Sequence, residues 1–149
     1  MIEGGSMIRL RGELRLIRRD IDGRILDELR KKNLIVDKGK EIVAKLINGV
    51  HTKPFKYIQI GTGTASPTAS DTALQSYYAE GEATVSYEAD FKCKWAYTFT
   101  FNESVSITEA GLFDDSHSAS PNMLARQTFS ARDMQAGQSL EVIWVIVVG

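Results

Sequence analysis

From Thr84 to Phe101 the chain alternates without a break. The odd positions read Val85, Tyr87, Ala89, Phe91, Cys93, Trp95, Tyr97, Phe99 and Phe101. The even positions read Thr84, Ser86, Glu88, Asp90, Lys92, Lys94, Ala96, Thr98 and Thr100. A period of two is that of a strand with one buried face. Ordinary strands run about 3–10 residues, so this one is expected to bend between sheets or to break near Ala89-Asp90. Its odd positions are expected in the core.

The same period marks Arg9 to Arg19, where Leu10, Gly12, Leu14 and Leu16 alternate with Arg11, Glu13 and Arg15. Asp22-Gly23 is a favoured hairpin-turn dipeptide, so a second strand is expected over Arg24–Arg30. Asp37 to Asn48 carries the helical pattern: Ile42, Val43, Leu46 and Ile47 share a face, Asp37 is placed to cap and Gly49 to close. Phe55 to Ile60 reads as a strand, Gly61 to Thr72 as a loop rich in turn formers, and Ala73 to Tyr78 as a short helical turn. Ser104–Phe113, Met123–Ser130 and Ser139–Val148 complete the strands. The last is apolar on both faces after Glu141, so it is expected to be central and covered on both sides.

Together these elements predict a mainly β protein: an antiparallel β-sandwich or jelly-roll-like barrel with one short α-helix and an N-terminal β-hairpin arm. Residues 1–50 read as a basic arm, hairpin plus helix, packed on a β-sandwich domain of residues 51–149. A chain of 149 residues can bury such a core without staples.

Net charge is -1, but it is unevenly spread. Residues 1–60 hold 14 of the 18 Lys and Arg and 8 of the 19 acids, for +6; the remainder carries -7. Such halves suit contact between copies, or docking on an acidic surface. Arg9, Arg11, Arg15, Arg18 and Arg19 lie within eleven residues and are the candidate partner contacts. Alternation puts Arg9, Arg11 and Arg15 on the face opposite Leu10, Leu14 and Leu16. The alternative is that they blunt a strand edge against aggregation.

Little else suggests chemistry. His51 and His117 are isolated in loops, and Cys93 is the single cysteine. Its thiol, between Phe91 and Trp95, is expected to be buried, raised in pKa and inert. Asp114-Asp115-Ser116-His117 lacks the ligand spacing of a calcium loop. Gly61-Thr62-Gly63 lacks the Lys-Ser/Thr ending of a phosphate loop. Glu80, Glu82, Glu88 and Asp90 read as exposed acids, not a catalytic pair. No enzyme, cofactor or metal site is expected. The basic stretch has no aromatics, which speaks against direct nucleic-acid binding. The longest apolar run, Val142 to Val148, is too short for a membrane span. The first residues lack the basic and apolar regions of a secretory signal. Met1–Ser6 precede a second methionine, Met7, which leaves the native start open between the two.

Four segments carry a resemblance. Ile58 to Leu74 reads Ile-Gln-Ile-Gly-Thr-Gly-Thr-Ala-Ser-Pro-Thr-Ala-Ser-Asp-Thr-Ala-Leu. Ile107 to Phe113 reads Ile-Thr-Glu-Ala-Gly-Leu-Phe, followed by Met123 to Phe129 and Gly137 to Ile146. In this order they resemble structural proteins of tailed-bacteriophage virions. The resemblance implies a non-enzymatic β-sandwich subunit, often trimeric, located in the virion. Its partners would be the major capsid protein or other virion proteins. A short chain without a repetitive shaft fits a capsid decoration (cement) protein. The alternatives are a tail fibre or baseplate component, or a receptor- or carbohydrate-binding module.

Overall fold

The computed structural model describes residues 8–149; Met1–Ser6 lie outside them. The elements in chain order are β1 (Leu10–Arg19), β2 (Ile25–Ile35), α1 (Asp37–Ile47), β3 (Tyr57–Gly61), β4 (Tyr77–Glu82), β5 (Thr84–Glu88), β6 (Lys92–Thr100), β7 (Val105–Phe113), β8 (Met123–Met134) and β9 (Ser139–Val148). All strand pairs are antiparallel, in the order β4-β3-β7-β8-β2-β1-β9-β6-β5. The fold is a mainly β, nearly closed barrel or sandwich with one helix.

Two layers share β2. Through most of its length it pairs with β1, while its last residues, Leu34 and Ile35, pair with Arg126 and Ala125 of β8. Where β2 and β8 diverge, side chains bridge them: Lys31 Nζ donates to the Thr128 carbonyl and Gln127 Nε2 to the Lys32 carbonyl. On the other side β4 runs into β5 through Ala83. The core lies between the layers, with Leu14, Leu16, Leu140, Val142, Trp144 and Phe99 facing Ile58, Ile60, Ile107, Leu112 and Leu124. β9 sits between β1 and β6 and buries Ile143 and Val145 on its second face as well.

The hairpin of residues 10–35 is woven into the sheet, because β1 pairs with β9 from Leu10–Val148 to Arg19–Ser139. Gly23 turns it with φ +85°, and β2 runs on to Ile35, past the expected Arg30. The helix begins where expected but is capped differently. Val36 is held extended by its N–H bond to the Leu124 carbonyl and becomes the N-cap, with no side-chain capping bond. Asp37 is the first helical residue and donates its N–H to Ala69. Ile42 is buried, Val43 and Leu46 half-buried and Ile47 exposed, so the apolar face is only partly covered.

Two further expectations fail. Ala73 to Tyr78 forms no helical turn; β4 begins at Tyr77 and pairs with β3. The long alternating stretch does break at Ala89-Asp90, where Asp90 and Phe91 take positive φ. Its odd positions, however, are not all core. Trp95, Phe99 and Phe101 are buried, but Val85, Tyr87 and Phe91 are 52%, 72% and 69% exposed. β5 is the last strand of its layer, and among the described residues no further strand pairs with it there.

Candidate functional site

Each of two apolar strands carries one ionic residue within its covered portion, Glu109 in β7 and Arg126 in β8. The registers pair Gly111 with Arg126 and Glu109 with Thr128, so the two charges are diagonal neighbours on the face turned away from the main core. Arg126 Nε and Nη2 both donate to Glu109 Oε1, at 3.1 and 3.0 Å. The remaining arm, Nη1, donates to Asp71 Oδ2 at 3.0 Å.

Loop 62–76 lies over this pair. Glu109 Oε2 accepts the N–H groups of Gly63 and Ser76 at 2.7 and 2.8 Å, and Oε1 accepts that of Gln75 at 2.9 Å. Thr108 Oγ1 donates to the Gly63 carbonyl. Asp71 accepts both the N–H and the hydroxyl of Thr68. Burial pushes the Asp71 carboxyl up, but the bonds from Thr68 and the Arg126 guanidinium outweigh it and hold the group below its ordinary range. Leu74 seats beside Gly111 and joins Phe113, Met123, Val36 and Tyr57 in a small second core.

Three segments singled out in the sequence, Ile58–Leu74, Ile107–Phe113 and Met123–Phe129, thus converge in space. Gly63 of Gly-x-Gly, with Gln75 and Ser76 just after Leu74, is fastened to the Glu of Glu-x-Gly-Leu-Phe, and the Asp of Asp-Thr-x-Leu and that Glu are both held by the Arg of Met-Leu-Ala-Arg. Five N–H donors reach Glu109, and a carboxylate offers about four lone-pair positions. The group is saturated and has nothing left for a substrate. It is a latch for the loop.

A second carboxylate fixes the next loop. Asp114 accepts the Asn122 N–H and side-chain amide, and its Oδ2 lies 3.0 Å from His51 Nε2. Asp115 pairs with Lys53, which holds its carboxyl below the usual range. Both histidines are therefore engaged: His51 with Asp114, and His117 stacked on Tyr77 at 3.8 Å between ring centroids. Cys93 is half-buried, and burial raises its thiol. Among the described residues no three His, Cys, Asp or Glu side chains are placed to hold a metal ion. No helix among them is long and apolar enough to cross a membrane.

The five candidate arginines divide. Arg11 and Arg15 lie on the outer face of β1, opposite Leu14 and Leu16, and exposed Arg9 precedes them. Arg15 bonds Glu13, Arg19 bonds Glu141 of β9, and Arg18 is held by Asp27 and the Asp133 carbonyl. Among the described residues Arg11 has no side-chain partner. The register adds cations the sequence list lacked. Arg30 stands opposite Arg15, Lys32 opposite Glu13, and Lys92 follows Arg11 across Val147. Arg30, Lys32 and Lys92 likewise have no side-chain partner among the described residues. Arg11 and Lys92 flank half-buried Val147, while the next apolar residues on that face, Val145 and Ile143, are buried between Glu13 and Lys94 and between Arg15 and Ala96.

Compared with family models, curated proteins and solved structures, the chain matches none.

Proposed function

We propose that this chain is a non-enzymatic structural subunit of a tailed-phage virion. In this reading it is a capsid decoration protein that docks on the major capsid protein through the outer face of β2, β1, β9 and β6. The observation that carries the docking is that Arg11, Arg30, Lys32 and Lys92, without side-chain partners among the described residues, lie on one sheet face. Like charges directly opposite on a sheet are destabilising, and Arg15 faces Arg30 across the β1–β2 pair. Such a face costs the free subunit stability and gains it back when acidic groups meet it. Arginine suits those groups because its planar fork takes carboxylates in pairs. Each exposed pair contributes about 0–1 kcal/mol, so binding needs several of them together.

The non-enzymatic reading is supported by Glu109 and Asp114, buried carboxylates whose oxygens are consumed by internal donors. The virion and closed-trimer parts rest on the resemblance of the four segments, three of which meet in the latch. The deciding experiment is cryo-EM of the assembled particle. The expected result is density for this nine-stranded fold as trimers on the capsid lattice, with the cationic face against acidic groups. Absence of the fold from the particle, or that face turned to solvent, overturns the reading.

A further inference from the structure

The two latched loops leave a cleft between them, bordering the molecule's second small core. Its volume is about 340 Å³. Gln59 of β3 lies at its floor, paired by register to Gly111 of β7 and Glu80 of β4. Gln59 is 2% exposed, and its side-chain Nε2 has no hydrogen-bond partner among the described residues. A buried amide N–H left unmatched is costly, so such a group calls for an acceptor. Leu74 and Phe113 form the apolar wall, and Tyr77 stacked on His117 forms an aromatic one, with the two rings 11° from parallel.

We propose that this cleft is a binding site for a neutral sugar residue. Among the described residues no Lys, Arg, Asp or Glu side chain lines it, which disfavours a charged ligand. A mostly apolar hollow with a few fixed polar groups is the usual form of a small-ligand site. A pyranose offers hydroxyl or acetamido oxygens to Gln59 Nε2 and Ser120, and a C–H face to the aromatic wall. The walls are set before the ligand arrives. Glu109 and Asp71 fix the Leu74 side, and Asp114 fixes the loop carrying His117 and Ser120. Ser120 is itself held at φ +51°, a left-handed conformation unusual for serine. The site lies away from the cationic sheet and is independent of docking there.

The test is a two-dimensional ¹H–¹⁵N NMR titration with glucose, galactose, mannose, N-acetylglucosamine, N-acetylgalactosamine and glucuronic acid. The expected result is that at least one neutral sugar shifts the Gln59 side-chain amide and the His117 and Ser120 backbone signals. Glucuronic acid should bind less well than its neutral counterpart. Gln59→Leu removes the donor and should weaken that sugar about tenfold or more while leaving the melting temperature unchanged. Tyr77→Ala, on the exposed rim, should do the same and answers alone if Gln59→Leu does not fold. Titration of a surface polysaccharide alongside the monosaccharides tells whether the sugar is met free or within a chain; tighter binding of either keeps the proposal. A cleft filled by ordered water only, with no neutral sugar moving these signals, overturns it. So does sugar binding that survives both substitutions, or glucuronic acid binding best.

Discussion

Glu109 and Arg126 form a bidentate pair in which one carboxylate oxygen takes two guanidinium N–H groups, with the residues 0% and 2% exposed. Removing one partner of such a pair strands the other charge. Arg126→Met is expected to destabilise the chain by about 3–5 kcal/mol in urea unfolding. Glu109→Gln should be milder but still harmful, because its NH₂ would face N–H donors. The double variant should cost less than the two singles added together. Additive losses would show that the two side chains are not coupled.

The close approach of the loop needs glycine at two places. A Cβ on Gly61 would lie 2.3 Å from the Ser76 carbonyl oxygen, and one on Gly63 would lie 2.4 Å from Glu109 Oε2. Backbone yields less readily than a side chain. Gly61→Ala should therefore cost more than Gly63→Ala, with both in the range of about 1–3 kcal/mol. Equal wild-type stability for Gly61→Ala would mean that the loop is not seated as described.

Asp71 gives the latch a dependence on acid. Its folded pKa lies below the ordinary 3.8, so the stability it adds is fully present above that value and is lost as pH falls through the folded one. From neutral pH down to about pH 5 the Thr68 amide should stay protected from exchange, and below about pH 4 protection should fall. Asp71→Asn should lower protection at neutral pH and flatten this acid step. A wild-type profile as flat as the variant's would sink the assignment.

The strands were legible because most bury one face, and alternation reports a face directly. Alternation does not report whether anything covers that face. Val85 and Tyr87 read like Trp95 and Phe99, yet β5 ends its layer and leaves them in solvent. β4 was not legible: Tyr-Tyr-Ala-Glu-Gly-Glu has neither period, and its pairing with β3 makes it a strand. The latch left a trace, one acid and one base of opposite sign, each in an otherwise apolar run. Their mutual contact depends on register, which the residues alone do not fix. For the same reason the arginine cluster could be seen but not divided into paired and unpaired members.

The corrected core makes a direct contrast. Trp95 is 8% exposed and donates its indole N–H to the Phe55 carbonyl at 2.8 Å. Trp95→Ala should cost about 3–5 kcal/mol. Tyr87→Ser, two residues before the turn on the same alternating stretch, should change stability by about 0.5 kcal/mol or less. Comparable losses in thermal unfolding would restore the reading in which the whole odd-numbered row is core.

Salt separates the two kinds of arginine on the basic sheet. Arg11, Arg30, Lys32 and Lys92 repel one another on the free subunit without partners among the described residues, whereas Arg18 and Arg19 are held by Asp27 and Glu141. Replacing the four unpartnered cations with serine should leave the melting temperature unchanged or raise it at low salt. Replacing Arg18 and Arg19 should lower it, with about 0.2–1 kcal/mol of stability lost per pair. The Debye length falls from about 30 Å at 0.01 M to about 10 Å at 0.1 M salt. Wild-type stability should therefore rise over that range as the repulsion is screened, and the four-site variant should respond less. Retention on particles should show the opposite dependence: strong at low salt for the wild type, weakening as salt rises, and poor throughout for the four-site variant. Equal retention of the two proteins with equal salt slopes would remove the docking role and leave the cations as protection of the sheet against aggregation.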